Sequence, residues 1–412
     1  MTTEKITTMW TTKKELQTAI KLSVESKTEK FPAFIELGPC RRGANVFADR
    51  PAKTALEALE RVAHANEQLS RWFGKCEMRA CCAAYETRFL FQEELAETIR
   101  VSYQGFKQAV GGLDRRDVEL KVQNGVLYLW QGRDCVRLQE MLLSEEQEAA
   151  LPQFARADED VDRYLNGYEL AGTAEILKQL IGLPGKTQCG EIMDAVYFEN
   201  RTGADGCEDL IISANNYSVL GFGRQNLDNW GGLGIFLLPA NAARKIVHAQ
   251  KLLCPAGADV RLGARSAVFD FGRFELRTRL LERETINPDI AVARDVKAVF
   301  EFSRAQLLAF AKKAKIFGHN VLFSYERGSF AAAAGTDYAR VDGRMENGAR
   351  QKPAVDDFTF SLAADDLAGV LKSAEAARVE LCFGGNENPV WLRAGGLRYA
   401  FIPRKEENKN GK

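Results

Sequence analysis

The spacing of apolar positions changes period at regular intervals along this chain. Phe236–Leu281 shows the change most plainly, reading FLLPANAARKIVHAQKLL and then ADVRLGARSAVFDFGRFELRTRLL. Phe236–Leu238 reads as a short strand that enters a helix at Pro239, since proline suits the first helical turn. Ile246, Ala249, Leu252 and Leu253 then recur at helical spacing, a one-sided apolar stripe. Beyond them the period falls to two: Val260 and Leu262, then Phe274 and Leu276, alternate with polar neighbours, while Gly263 and Gly272 mark turns. The predicted unit is strand, helix, three strands.

The same unit recurs. Val101–Leu113 reads as strand then helix and Asp117–Leu142 as the strands after it, with Asn124-Gly125 as a hairpin turn. Phe358–Glu375 and Ala377–Lys405 repeat it at the end of the chain. Each copy is preceded by a matching strand–helix start, at Ile6–Glu25, Gly167–Leu183 and Ala298–Phe317. A unit repeated along a whole chain implies an architecture built from copies. The pattern predicts an α+β fold of three tandem domains, 1–160, 161–292 and 293–412, each of two half-units with a period of about 137 residues, a common domain size. A segment at about 39–74 has no counterpart and reads as an inserted amphipathic helix, with Leu56, Leu59, Val62, Ala63 and Leu69 on one face. Ser144–Arg163 and Glu284–Asp295 read as linkers.

Composition narrows the function. The chain holds 56 Lys and Arg against 56 Asp and Glu, so bulk charge does not mark a nucleic-acid binder, and the placement of charge decides. No run approaches a membrane span and the N-terminus has no apolar signal core, which predicts a cytoplasmic protein without a membrane partner. Nine scattered cysteines read as free thiols. Cys76, Cys81 and Cys82 cluster without zinc-site spacing, so no metal and no cofactor is expected. Gly221–Gly223 lacks the dinucleotide spacing, Leu183–Thr187 lacks the upstream glycine of a phosphate loop, and no G-x-S-x-G motif occurs. Asp365 and Asp366 sit at a helix start, where the helix dipole accounts for them. Nothing here argues for an enzyme.

The repeated helices carry bases on their polar faces: Lys13, Lys14, Lys21, Lys107, Lys178, Arg244, Lys245, Lys251, Arg304, Lys312, Lys313 and Lys372. If successive domains join edge to edge, the helices share one side of a continuous sheet, and such a side is an electrostatic track for phosphates. No cluster of Arg, Asn and Gln is arranged as base readers, so the expected contact is to backbone alone and independent of sequence.

At this point the pattern resembles the bacterial DNA sliding clamp family, the beta subunit of DNA polymerase III. The residues that carry the resemblance are FLLPANAARKIVHAQKLL with FELRTRLLERETINPDI, and the ending PVWLRAGGLRYAFIPRK. It implies a head-to-tail homodimer whose continuous outer antiparallel sheets surround helices lining the inside of a ring on duplex DNA. It also implies a processivity role, an ATP-dependent clamp loader as partner, and a cleft for the polymerase and other proteins bearing a clamp-binding peptide. Carried over, that cleft is lined by Met193, Ala214, Asn216, Tyr217, Ser218, Val219, Pro239, Arg244, Phe317, Ala363, Asp366, Pro389, Ala400, Phe401, Ile402, Pro403 and Arg404. The family usually has a D-G-x-R-L run where this chain has Asn215-Asn216-Tyr217-Ser218-Val219, and Asp366 stands where an aromatic is common. These departures point to a variant peptide. They also keep open a clamp-like scaffold of a phage or plasmid system with a non-replicative client. The dimer contact would pair Val136 and Leu138 with Lys315 and Ile316.

Overall fold

The computed structural model describes residues 8–24, 33–40, 76–82, 84–114, 117–151, 161–168, 170–183, 194–202, 208–216, 218–226, 234–253, 257–282, 296–326, 329–335, 340–344, 348–349, 357–385 and 388–403. In chain order the first half-unit is β1 (Thr8–Thr12), α1 (Lys13–Leu22), β2 (Phe34–Pro39), β3 (Cys76–Cys81) and β4 (Tyr85–Phe91). The second is β5 (Ile99–Ser102), α2 (Tyr103–Gly111), β6 (Asp117–Gln123), β7 (Val126–Gln131) and β8 (Asp134–Gln139). After the short α3 (Glu145–Ala149), the third is β9 (Val161–Tyr168), α4 (Leu170–Leu180), β10 (Ala195–Thr202), β11 (Glu208–Asn215) and β12 (Val219–Asn226). The fourth is β13 (Ile235–Pro239), α5 (Ala240–Leu253), β14 (Ala258–Gly263), β15 (Ser266–Asp270) and β16 (Phe274–Arg279). The fifth is β17 (Ala298–Ser303), α6 (Arg304–Phe317), β18 (Asn320–Glu326), β19 (Ser329–Gly335), β20 (Arg340–Arg344) and the two-residue β21 (Gly348–Ala349). The sixth is β22 (Phe358–Ala363), α7 (Ala364–Ser373), β23 (Arg378–Phe383), β24 (Val390–Ala394) and β25 (Leu397–Phe401).

Strand, helix, three strands thus recurs six times, as the changes of period predict. The fold is α+β with long antiparallel sheets. Asn124 and Gly125 take φ of 53° and 68°, the left-handed pair that a two-residue hairpin turn needs, and β6 and β7 pair across them. Two expectations shift. Pro39 ends β2 and Pro239 ends β13, so α5 starts at Ala240, one residue later than the proline rule placed it. The first linker opens with a capped helix: the Ser144 side chain accepts from Gln147 N–H while Gln147 returns the bond to Ser144 N–H. The inserted segment expected at about 39–74, but for residues 39 and 40, and the second linker, Glu284–Asp295, lie outside the described residues.

The chain forms two compact units, Met1–Leu170 with Lys245–Leu280, and Ala171–Arg244 with Leu281–Lys412. The first contains an eight-stranded sheet, β5-β2-β3-β4-β16-β15-β14-β9, and a four-stranded sheet, β1-β6-β7-β8. The second contains a nine-stranded sheet, β13-β10-β11-β12-β25-β24-β23-β17-β21, and a four-stranded sheet, β20-β19-β18-β22. Each long sheet joins strands of half-units far apart in sequence, at β4–β16 in one unit and β12–β25 in the other.

Helices pack in pairs, α1 beside α2 and α6 beside α7. Leu16, Ala19 and Ile20 of α1 and Phe106, Ala109 and Val110 of α2 are buried, the one-sided stripes that define an amphipathic helix. In the second unit an aromatic core joins its two sheets: Phe300 lies 4.9 Å from Phe330 and Phe358 stacks on Phe383 at 4.0 Å. Gly221 and Gly223 of β12 allow close approach of α4. A Cβ at Gly221 would stand 2.5 Å from Leu183 Cδ1 and 2.8 Å from Leu180 Cδ2, and one at Gly223 would stand 2.8 Å from Ile176 Cγ2. The G-x-G pattern is therefore a packing motif.

Candidate nucleic-acid faces and partner cleft

The six helices of the half-units present distinct outer faces. Their exposed residues include Lys14 and Lys21 on α1, Lys107 on α2, Lys178 on α4, Lys251 on α5, Lys312, Lys313 and Lys315 on α6, and Lys372 on α7. Against these nine lysines stand two exposed acids, Glu175 and Asp365. The rest of these faces is small or neutral, such as Gln17, Gln104, Gln108, Asn241, Ala309 and Gly369. Lys14, Gln17 and Lys21 fall on one stripe by helical spacing, as do Gln306, Ala309 and Lys313. In a chain of zero net charge this is a sorted distribution, and such faces suit phosphates.

Not every predicted base belongs to those faces. Lys13, the first residue of α1, donates to the carbonyl of Leu113, just past the end of α2. Arg304, the first residue of α6, donates to Leu371 O at 3.0 Å, in the last turn of α7. Arg244 of α5 donates to Ile181 O at 3.1 Å, just past the end of α4. Carbonyls at a helix C-terminus have no partner within the helix and carry the negative end of its dipole, so a cation is the natural cap. Lys245 goes further: it is buried, and its Nζ donates to Lys21 O at 2.9 Å and Ser23 O at 2.5 Å, at the end of α1. Lys245 is thus withdrawn from the candidate DNA face, and Lys13, Arg244 and Arg304 are half-buried caps. The sequence carries a signal for two of them, since Lys13 and Arg304 directly follow strand-ending Thr12 and Ser303. Lys178 pairs with Glu375 and Glu175, and the bond to Glu375 raises the Lys178 pKa while lowering that of Glu375.

The cleft candidates divide into two groups, both in the second unit. In the first, Val219 stands opposite Phe401 across β12–β25, and Ile402 N donates to Ser218 O at 2.9 Å. Asn216 closes the turn before β12: its Oδ1 accepts from Ser218 N at 2.8 Å and Val219 N at 2.7 Å. Its Nδ2 donates to Asp366 Oδ1 in the first turn of α7 at 3.0 Å. Ala364 N donates to His319 O, which sets the Phe317 end of α6 beside Ala363. Pro389 precedes Val390, which also faces Phe401. In the second group, Pro239 is registered with Ala195, and Arg244 holds Ile181.

Ala214, Val219, Pro239, Ala363, Ala400 and Phe401 are buried and form the framework beneath any surface here, a correction to their placement as cleft lining. Ile402 is 61% exposed, beside half-exposed Asn216, Ser218, Asp366, Pro389 and Pro403. Met193, Tyr217 and Arg404 lie outside the described residues. Of the dimer candidates, Val136 and Leu138 are half-buried on β8, an edge strand, and Ile316 is 78% exposed. Lys315 pairs with Asp365. An apolar edge of this kind favours pairing with another strand.

Among the described residues no group of three His, Cys, Asp or Glu is placed to hold a metal. Burial pushes the Cys76 and Cys81 thiols up to about 12, so neither is a ready thiolate. Among the described residues no helix is long and apolar enough to cross a membrane.

No family model and no curated protein matches the sequence. Solved structures do match in fold. The DNA polymerase III beta subunit of Thermotoga maritima is 15% identical with a TM-score of 0.75, over 97% of this chain and 99% of that one. The beta subunit from the DNA polymerase of Streptococcus pyogenes is 12% identical with a TM-score of 0.72, over 97% and 100%. The DNA polymerase sliding clamp of Caulobacter crescentus is likewise 12% identical at 0.72, over 97% and 100%. The chain has the fold of these sliding clamps along nearly its whole length.

Proposed function

We propose that this chain is a DNA sliding clamp. Its six half-units pair as three domains, 1–160, 161–292 and 293–412, and two copies close head to tail into a ring around duplex DNA. The nine-to-two excess of exposed lysines over acids on the six half-unit helices carries this reading. Faces on which ammonium groups so outnumber carboxylates meet phosphate backbone without reading bases, so the ring slides. Closure would pair β8 with the α6 side of the second copy, through Val136, Leu138 and Ile316. The surface around Ile402, Asn216 and Asp366 would take the tethering peptide of a polymerase, and a separate ATP-dependent loader would open the ring. The protein is then a cytoplasmic accessory subunit without catalysis of its own.

The deciding experiment is retention on DNA. Loaded protein stays on nicked circular DNA and is lost when the circle is cut. Equal retention on both forms, or a solution mass of a single chain at micromolar concentration, overturns the proposal. A second reading, a clamp-like scaffold of a phage or plasmid system, is favoured by the Asn216–Asp366 bond, which sets a carboxylate at the cleft where an apolar contact would serve the usual peptide. Clear capture of a replicative polymerase through its C-terminal peptide would reject it.

A further inference from the structure

The outer face of the N-terminal four-stranded sheet carries a feature that DNA encirclement does not use. Its inner face is apolar: Met9, Val118, Leu120, Leu127 and Leu129 are buried. On the opposite face, cross-strand register sets Trp10 of β1 against Glu119 of β6, and Glu119 against Trp130 of β7. The three side chains form one row across three strands, with a carboxylate between two indoles. Neighbouring Cβ atoms in such a row stand about 4.5–5.5 Å apart, so both rings are within reach of a group seated on the carboxylate. Trp10 is 56% exposed, and Glu119 and Trp130 are half-buried. Among the described residues Glu119 makes no side-chain hydrogen bond or ion pair, although Lys121 lies two residues away on the same strand. Arg137 turns instead to Tyr128, its guanidinium 5.7 Å from the ring centroid.

We propose that this row is a docking surface for a protein partner that seats an arginine between Trp10 and Trp130 on Glu119. An indole face attracts a cation through its quadrupole, and a guanidinium stacks flat on a ring while its edge meets a carboxylate. A half-buried carboxylate with no ion pair among the described residues completes that charge match. Exposed Trp and Tyr beside a charge are also the residue types that dominate protein interfaces. A nucleic acid would use the same rings for stacking but would bring phosphate toward Glu119, so the protein reading is favoured. The proposal does not depend on the sliding-clamp reading.

The test uses the full chain labelled with 5-fluorotryptophan, with Trp10→Phe and Trp130→Phe assigning those two among the resonances of its five tryptophans. The probes are a peptide Ala-Arg-Ala-Arg-Ala, its citrulline counterpart, which keeps shape but not charge, and a twenty-nucleotide oligothymidylate. Both resonances move with the arginine peptide, with affinity about tenfold above that of the citrulline peptide. Glu119→Gln, a substitution at a half-exposed position, removes that preference. Equal response to both peptides, an arginine preference that survives Glu119→Gln, movement with oligothymidylate alone, or movement with protein concentration and no probe would each overturn the proposal.

Discussion

The two long sheets are joined in the same way and finished differently. At β4–β16 and at β12–β25, antiparallel strands of separate half-units pair over five registered positions. Toward the interior both joins are apolar: Phe89 meets Phe274 in one, Val219 meets Phe401 in the other. On the opposite face they diverge. The first carries Arg88 against Glu275 and Glu86 against Arg277. Glu86 accepts from Arg79 Nε at 2.6 Å and Arg88 Nε at 3.0 Å, and Glu275 accepts from Arg277 Nε at 2.6 Å and Arg261 at 3.1 Å. The second carries an apolar row, Leu220, Ala400, Trp391, Cys382 and Val299, with Phe222 edge-on to Trp391 at 6.1 Å.

The contrast separates what the join requires from what it tolerates. Backbone pairing and one apolar face suffice to fuse two half-units. The other face can be a charge lattice or a hydrophobic strip. The lattice is demanding, because Glu86 and Glu275 are each only 1% exposed and an ion pair out of water holds only if every charge is met. The strip is permissive, since apolar groups of similar volume can replace one another.

Breaking the lattice gives the largest expected effect. Glu86→Ala leaves the half-buried Arg79 and Arg88 without the carboxylate that both bond, beside buried Arg277, and costs about 3–5 kcal/mol. Trp391→Ala costs about 3–5 kcal/mol as well, through a cavity. Urea midpoints would show similar losses; pH tells them apart. Burial alone would raise the Glu86 pKa, but Arg88, Arg79 and Arg277 hold it below the ordinary carboxylate value. A folded-state pKa below the unfolded one stabilises fully above about 4.3, and that contribution disappears as pH falls from there through the folded value. Hydrogen exchange should therefore show β4–β16 amides losing protection below that pH in the native chain and in Trp391→Ala. Glu86→Ala should lack this component. A flat acid profile in the native chain would refute the lattice.

Next in size are changes on the helix side. Lys245→Ala removes the two buried bonds from its ammonium to Lys21 O and Ser23 O and costs about 1.5–3 kcal/mol. A Lys245→Arg variant should not recover it all, because a planar fork replaces a compact ammonium at a buried position. Gly221→Ala presses a methyl against Leu183, Leu180 and Tyr399 at once and costs about 1–3 kcal/mol. An unchanged melting temperature for either Lys245→Ala or Gly221→Ala would show that these close contacts relax without cost.

The six half-units were legible because helix and strand periods are local signals and each copy repeats the same switch. The joins were not. Leu276 and Thr87 meet across 189 residues, and nothing in either segment names its partner. The fate of each base was equally hidden. Lys245 and Lys251 read alike on the sequence of α5, yet the first is buried on another helix's carbonyls and the second is exposed. Burial of Val219 and Phe401 was not fixed by resemblance either, which carries over a position and not its exposure. The Trp10–Glu119–Trp130 row depends on register between three strands, one of them more than a hundred residues from the others.

The smallest expected effect completes the comparison. At the second join the helix-side link is Lys178 with Glu375, both about half exposed, where the first has buried Lys245. Two solvated side chains gain little from meeting and lose rotamer freedom, so Lys178→Ala should change stability by about 0–1 kcal/mol, and less at high salt. If the two joins are finished as differently on this side as on the other, a double-mutant cycle with Glu375→Ala gives a coupling that fades in molar sodium chloride. The Lys245→Ala cost should persist there, since its bonds are buried. A Lys178 coupling as large and as salt-resistant as the Lys245 effect would mean that both joins rely on the same buried helix-end contact.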